Sequence, residues 1–186
     1  MPVVPEFQIG VWNGWWLTVA YLAIHLVLFF TAPKEALKRL LTRPKLNKTE
    51  KPLFNIQQTL YFGIMVYAVF VPLKLGTAWF WIGLVVFVLG MVGYFVAITN
   101  FASTPLDQPV VKGLYRISRN PIHVMSDVAW FGAGIATASW VILAANIVLC
   151  ILVHKTTLAE ERFCLERYGQ AYRDYMEQAP RHFLFF

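Results

Sequence analysis

The apolar segment that runs from Pro121 to Thr157 most restricts what the chain can fold into. An α-helix rises about 1.5 Å per residue, so about 20 residues cross the hydrocarbon core of a bilayer. A run of small residues ends near Ser139, which lies 18 residues after Pro121 and 21 residues before Glu160. The segment therefore predicts a hairpin of two membrane helices, which brings residues 113–121 level with residues 160–162 at one membrane–water boundary.

The composition points to a membrane protein. Of the 186 residues, 58% are hydrophobic and 14% are charged, and the mean hydropathy is +0.56. Soluble domains carry about a quarter charged residues. We expect an all-α, polytopic membrane protein with five transmembrane helices, a C-terminal helical hairpin and an amphipathic cytoplasmic extension. A single membrane domain covers residues 1–186, with spans predicted at about 11–31, 53–73, 77–101, 121–138 and 140–160.

The formal charge of +6 has a topological pattern. Of the 16 Lys and Arg residues, all but Lys74 fall in the segments 34–51, 112–119 and 155–181. If five spans alternate, these three segments lie on one side of the membrane. The positive-inside rule then predicts an amino terminus outside, a carboxy terminus in the cytoplasm and contact of the basic loops with the lipid bilayer. Nucleic acid is not an expected partner.

Capping residues mark the helix boundaries of the hairpin region. Asn120 followed by Pro121 is typical of an N-cap and a first helical position. The fifth helix is expected to continue beyond the bilayer through Tyr168. Gly169 predicts a break before a short helix over residues 170–178.

Three polar side chains lie within the predicted spans. His25 is expected to form a hydrogen bond to a neighbouring helix. An acid inside a membrane segment is costly, so Asp127 needs a partner or a water-lined cavity. His123, one helical turn earlier, and Arg119 are the candidates.

The predicted hairpin collects ionisable side chains at one level. Adjacent glutamates on a helix point about 100° apart, so Glu160 and Glu161 have different surroundings. One is expected to pair with Arg119, and the other is free to bind a cationic or hydroxyl-bearing ligand. A solvated, charged helix end is the alternative interpretation. The side chains at this level are Tyr115, Arg116, Arg119, His123, Glu160, Glu161 and Arg162.

Common soluble cofactor motifs and metal sites are not predicted. Gly113 is isolated, and the chain has no dinucleotide fingerprint, Walker A sequence, nucleophile elbow or zinc-type His/Cys spacing. Cys150 and Cys164 lie on one predicted helix, about 21 Å apart along its axis, so they cannot form a disulfide with each other. We interpret both as packing residues.

The motifs at these positions resemble those of the membrane methyltransferases that include isoprenylcysteine carboxyl methyltransferases and phospholipid N-methyltransferases. The family signature is approximately Gly-x-Tyr-x-x-x-Arg-His-Pro-x-Tyr, a small-residue hairpin, Glu-Glu, and Phe/Tyr-Gly-x-x-Tyr-x-x-Tyr. This chain has Gly-Leu-Tyr-Arg-Ile-Ser-Arg-Asn-Pro-Ile-His over residues 113–123, Glu-Glu at 160–161, and Tyr-Gly-Gln-Ala-Tyr-Arg-Asp-Tyr over residues 168–175. It departs from the signature at Asn120, where the family usually has His, and at His123, where it usually has Tyr.

The resemblance implies methyl transfer from S-adenosylmethionine, with S-adenosylhomocysteine as the product and no metal. The cofactor site would be built from about residues 100–123 and 154–181. The resemblance implies catalytic roles for Glu160 and Arg119. Arg119 would pair with Glu161 to hold the site in place and would not take part in bond making. By position, the residues implied in cofactor binding are Asn100, Val110, Val111, Gly113, Leu114, Tyr115, Asn120, Pro121, His123 and Glu160.

The resemblance also implies a lipophilic acceptor that enters from the bilayer, while the polar cofactor enters from the cytoplasm. The chain is most like the isoprenylcysteine carboxyl type, which methylates an oxygen. Three alternatives stay open: a phospholipid N-methyltransferase, an NADPH-dependent membrane sterol or lipid reductase, and a non-catalytic membrane scaffold.

Overall fold

The computed structural model describes residues 7–42 and 44–182, and most of these residues are helical. No β-strand forms within these two ranges, so the all-α prediction is confirmed for them. The helices are α1 (Trp15–Thr31), α2 (Lys34–Leu41), α3 (Glu50–Phe70), α4 (Ala78–Ala102), α5 (Pro121–Ala136), α6 (Trp140–Tyr168) and α7 (Gln170–Gln178), with a 3₁₀ turn over Gly113–Arg116.

The hairpin turns where the sequence predicts it. Helix α5 ends at Ala136 and α6 begins at Trp140. Ser139 caps α6, because its hydroxyl accepts a hydrogen bond from the backbone N–H of Ile142 at 3.4 Å. Ala138 adopts a φ of 49°, and this left-handed residue reverses the chain direction. The predicted turn near Ser139 is confirmed.

The boundaries at the other end of the hairpin also agree with the sequence. Helix α6 continues through Tyr168, Gly169 has a φ of 55°, and α7 follows at once. Asn120 occupies the N-cap position of α5 before Pro121, but its side chain makes no capping hydrogen bond. Its amide donates to the carbonyl of Arg181 at 3.2 Å, because the C-terminal segment lies against the start of α5.

The bundle has two distinct ends. The residue before α1 meets the residue after α3, where the Gly14 N–H donates to the Val71 carbonyl at 2.8 Å. The Lys74 N–H donates to the Ala136 carbonyl at 3.1 Å, so the α3–α4 loop lies beside the hairpin turn. The first turn of α5 lies at the opposite end. Lys74, the basic residue that the sequence separates from the others, is therefore far from the predicted site.

Helices α4 and α5 approach each other closely. A Cβ atom added at Gly83 would meet the backbone of Ala136, and one added at Gly90 would meet the backbone of Ala129. Only glycine allows such a separation between helix axes, which is a common way to pack membrane helices. Trp130, on the same stretch of α5, is completely buried.

The span prediction is supported in part. Among the described helices, α3, α4 and α6 are long and apolar enough to cross a membrane. Helix α1 is apolar but has 17 residues, and α5 has 16 residues against the 18 predicted for residues 121–138. The structure therefore supports a membrane protein, while five crossings remain a prediction.

Two ionisable side chains within the spans, His25 and Asp127, have partners on other helices. The His25 ring nitrogen Nε2 lies 2.7 Å from the Tyr94 hydroxyl, as expected. The expected partners of Asp127 are wrong: its carboxylate instead accepts hydrogen bonds from Tyr61 at 3.3 Å and Cys150 at 3.4 Å. Helical side chains lean toward the helix N-terminus, so the His123 ring points away from Asp127. It meets Glu160 of α6 instead.

Candidate active site

A cavity of about 760 Å³ lies at the end of the bundle that holds the first turn of α5. Pockets of 300–1,000 Å³ are typical of sites for small molecules and cofactors. Residues from each of the helices α1 to α7 line it, together with residues of the loops before α3 and α5. Six of the residues named from the sequence line it: Val110, Tyr115, Arg119, Asn120, His123 and Glu160.

His123 and Glu160 form the polar centre of the cavity wall. The imidazole Nε2 lies 3.3 Å from Oε2 of the carboxylate, and both residues line the cavity. The Glu160 side chain is 40% exposed and the His123 side chain 24%. Glu160 has no other hydrogen-bond partner among the described residues, so its second oxygen can accept a hydrogen bond from a ligand.

Glu161 points away from the cavity into a buried ion-pair cluster. Its Oε1 accepts from Nε of Arg119 at 3.0 Å, and its Oε2 accepts from Nη2 of Arg181 at 2.8 Å. The Glu161 carboxylate raises the pKa of Arg181. The sequence predicts that one glutamate of the pair bonds Arg119, and Glu161 does so. The other glutamate, predicted to be free to bind a ligand, is Glu160, whose carboxylate bonds His123.

Arg119 also fixes the end of α7. Its Nη1 donates to the carbonyls of Ala179 at 2.7 Å and Met176 at 2.9 Å. Because these carbonyls lie at and just beyond the C-terminus of α7, Arg119 fastens that helix against the start of α5. Arg119 lines the cavity, yet its hydrogen bonds serve the protein's own structure.

The loop before α5 passes very close to the end of α4. Gly113 has a φ of 58°, and a Cβ atom at this position would run into the side-chain amide of Asn100. The Asn100 Nδ2 group is buried and has no hydrogen-bond partner among the described residues. An unsatisfied buried donor is costly, so this amide is suited to a ligand that carries an acceptor.

Tyr115 anchors the same loop. It is buried, and its carbonyl accepts a hydrogen bond from the Tyr175 hydroxyl at 2.6 Å. Burial raises the pKa of Tyr115 well above its usual value, and burial also raises the pKa of Tyr175. Both phenols are therefore neutral at physiological pH and act as hydrogen-bonding groups.

The remaining residues named from the sequence lie around the cavity or outside it. Pro121 is buried at the start of α5, whereas Val111 is half exposed and Leu114 lies in the 3₁₀ turn without lining the cavity. Arg162 points to the outside, where its guanidinium forms a 2.8 Å ion pair with Glu50 of α3. No group of three metal-binding side chains occurs in the described part of the chain.

Sequence reasoning missed two charged residues of the cavity, the buried Arg39 and the exposed Arg167. Residues 32–52 are expected as a basic loop, but the structure contains α2 in this segment, and α2 carries the buried Arg39 to the cavity wall. A signal for the helix exists: Ala36, Leu37 and Leu40 follow a proline at helical spacing. No local pattern indicates that the arginine among them is buried.

These features define a helical membrane protein with a ligand-sized cavity at one end of a helical hairpin. A family model for phospholipid methyltransferases matches residues 71–171, which is more than half of the chain. The chain therefore belongs to the phospholipid methyltransferase family, part of a group of integral membrane methyltransferases. The resemblance found in the sequence is confirmed at this level. No curated protein matches the chain.

Proposed function

We propose that the protein is an integral membrane methyltransferase that uses S-adenosylmethionine to methylate a lipidic acceptor. The observation that carries this proposal is the Glu160 carboxylate, which reaches the cavity beside the first turn of α5 and the Gly113 loop. All of the catalytic and cofactor-binding residues named from the sequence lie inside the segment that matches the family.

The residues at the cavity fit the cofactor. Its ribose hydroxyls and amino group are donors, and the free oxygen of Glu160 is a matching acceptor. Its adenine and carboxylate provide acceptors for the orphan Asn100 amide, and the absence of a Cβ at Gly113 lets that amide lie directly against the loop. The unpaired N–H groups at the start of α5, next to Pro121, can hold an anionic group. Val110, Val111, Leu114, Tyr115, Asn120 and His123 complete the proposed binding set.

The bound cofactor supplies an electrophilic methyl group attached to a sulfonium. The protein has to hold an acceptor atom in line with that group and keep water out. Proximity and orientation of this kind contribute roughly 7–11 kcal/mol to lowering a barrier. Arg119 contributes indirectly, because it fixes α7 against α5 and so keeps the cavity walls in place.

The first candidate acceptor is the carboxylate of an isoprenylcysteine, as the sequence motifs suggest. A carboxylate oxygen is already a nucleophile, so no general base is needed. The second candidate is the amine of a phospholipid, which the description of the matching family favours. An amine must lose a proton before it attacks, and the adjacent His123 and Glu160 side chains can accept one.

We also propose that the cavity opens at the cytoplasmic face, with the amino terminus outside. The distribution of basic residues supports this orientation, since Lys74 lies at the hairpin-turn end and the other basic segments flank the cavity end. Single cysteines introduced at Lys74 and Lys112, in a background without Cys150 and Cys164, test it in intact cells. An impermeant maleimide should label position 74 alone. Labelling of position 112 alone would show that the protein has the opposite orientation.

Transfer of a labelled methyl group tests the proposed activity. Detergent-purified protein is incubated with methyl-tritiated S-adenosylmethionine and a membrane lipid extract, and the extracted lipid is counted. Label that alkali releases as methanol identifies a methyl ester, and alkali-stable label identifies an N-methyl group. Glu160→Gln should lose most of the transfer, and Glu166→Gln, an exposed change on the same helix, should retain it.

Each alternative predicts a different result in the same preparation. A reductase would bind NADPH and not S-adenosylhomocysteine, and a scaffold would bind neither ligand. Absence of both label transfer and S-adenosylhomocysteine binding in folded protein would therefore reject the proposal.

A further inference from the structure

Arg39 is a buried cation in the cavity wall, only 6% exposed. Its Nη1 donates to the carbonyls of Thr104 at 3.2 Å and Pro105 at 2.5 Å. Its Nη2 donates to the carbonyl of Gln108 at 3.0 Å and to the Tyr168 hydroxyl at 3.3 Å. The guanidinium therefore joins α2 to the α4–α5 connection and to the end of α6.

The positive charge of Arg39 is not neutralised by these contacts. Every hydrogen-bond acceptor that it uses is a carbonyl or a hydroxyl, and its Cζ lies 4.9 Å from the centre of the Phe101 ring, which is also neutral. None of the ion pairs formed by the described residues includes Arg39. Its Nε group is buried and has no hydrogen-bond partner within that part of the chain.

A buried charge without a counter-charge is costly, and so is a buried donor without an acceptor. Arg119 provides the contrast, because its Nε bonds the Glu161 carboxylate at 3.0 Å. The carbonyl contacts of Arg39 provide acceptors for its Nη groups. They leave its Nε–H without an acceptor and its positive charge without a counter-charge. An oxyanion beside Nε would satisfy both through a charge-assisted hydrogen bond.

We propose that Arg39 binds the anionic group, a carboxylate or a phosphate, of a ligand in this cavity through Nε–H and its charge. This inference rests on the proposed function, in which two ligands meet in the cavity. The anion belongs either to the methionine part of the cofactor or to the head group of the lipidic acceptor. Three leucines of the same short helix line the cavity beside Arg39: Leu37, Leu40 and Leu41. If the anion is the head group of the acceptor, these leucines give its acyl or prenyl chain an apolar surface.

Three substitutions on α2 separate the charge from the fold. Arg39→Gln removes the charge, Arg39→Lys keeps it, and Lys38→Gln makes the same charge change at the exposed neighbouring position. Each variant is titrated by calorimetry with two matched pairs of probes. The first pair is S-adenosylhomocysteine and its decarboxylated analogue, and the second is dioleoyl phosphatidic acid and dioleoylglycerol in neutral detergent.

We expect Arg39→Gln to weaken binding of the anionic member of one pair by about tenfold or more, a change of about 1.4 kcal/mol. The member that lacks the carboxylate or phosphate should bind at least as tightly as it does to the wild type, which also establishes that the variant is folded. Arg39→Lys should retain part of the preference, and Lys38→Gln all of it. An effect on the first pair assigns the anion to the cofactor, and an effect on the second assigns it to the acceptor.

Equal preference for the anionic members in the wild type and Arg39→Gln would overturn the inference. If the wild type binds both adenosyl ligands, that outcome leaves the proposed function standing. If the wild type binds neither adenosyl ligand, the proposed function fails. An Arg39-dependent preference for phosphatidic acid would then still establish the anion site.

Discussion

Arg119 and Glu161 form a buried ion pair in which Nε lies 3.0 Å from Oε1, with side chains 4% and 5% exposed. The pair joins the residue just before the N-cap of α5 to the C-terminal half of α6, and Arg181 completes it from the C-terminal segment. The neighbouring Glu160 meets His123 in the cavity. Of these two adjacent glutamates, Glu161 therefore lies in a buried ion-pair cluster and Glu160 faces the cavity.

Glu161→Gln should destabilise the protein strongly. The substitution leaves two arginines without their counter-charge, and breaking a buried pair in this way costs about 3–5 kcal/mol. Thermal melting in detergent measures the loss. Glu50→Gln breaks the exposed pair between Glu50 and Arg162 and should have a much smaller effect. Equal losses in the two variants would contradict a structural role for Glu161.

Gly113→Ala should weaken ligand binding beyond its effect on stability. An L-residue at the positive φ of Gly113 costs about 1–2 kcal/mol, and its Cβ displaces the Asn100 amide. Gly76→Ala is the matched control, because Gly76 has a φ of 74° and a Cβ there meets nothing within 4 Å.

Both variants should melt at lower temperature than the wild type. Only Gly113→Ala should lower the affinity for S-adenosylhomocysteine, by about tenfold or more. Calorimetric titration of the two variants measures this. Unchanged affinity in Gly113→Ala would show that the loop and Asn100 do not form the ligand site.

Gly90→Ala should disrupt the contact between α4 and α5. The new methyl group would press on the backbone of Ala129, and overpacking typically costs about 1–3 kcal/mol. A Cβ at Gly63 of α3 meets nothing within 4 Å, so Gly63→Ala should be neutral or stabilising by up to about 1 kcal/mol. Melting temperatures that move in the same direction in both variants would argue against close packing at Gly90.

The parts of the fold that follow from neighbouring residues were predictable from the sequence. The turn at Ser139, the break at Gly169 and the start of α5 at Pro121 each depend on local backbone preferences. The pairing of Arg119 with one of two adjacent glutamates was also predictable, because the lengths of the hairpin helices bring both to one level.

Features that depend on packing between distant segments were not predictable. Asp127 bonds Tyr61 and Cys150 on two other helices, and no local pattern selects those partners. Arg39 lies in a strongly basic segment, where an exposed side chain is the natural expectation. Its burial follows from carbonyl groups of residues 104–108, more than sixty positions along the chain.

The docking of the C-terminal segment should weaken in acid. His182 Nε2 lies 3.2 Å from His154 Nδ1, and burial together with the charges of His154 and Arg181 lowers the pKa of His182. Glu161 partly opposes this shift, and His123 adds to it. The unfolded chain therefore binds a proton at a higher pH than the folded chain, so the stability is fully present above about pH 6.5 and declines below it.

Melting curves of the wild type and His182→Gln between pH 7.5 and pH 5.5 measure this contribution. The variant should lose less stability than the wild type as the pH falls, because it lacks the group that titrates. Parallel pH dependence in the two proteins would show that the His182 environment does not couple protonation to folding.

Binding of S-adenosylhomocysteine by wild type, Glu160→Gln and Glu166→Gln in detergent, measured by calorimetry, tests the central claim most directly. Glu160 faces the cavity, while Glu166 is exposed on the same helix outside it. We expect binding by the wild type and Glu166→Gln, and affinity weakened by about tenfold or more in Glu160→Gln with an unchanged melting temperature. Absence of binding by folded wild-type protein, or equal affinity in all three proteins, would contradict a cofactor site at Glu160.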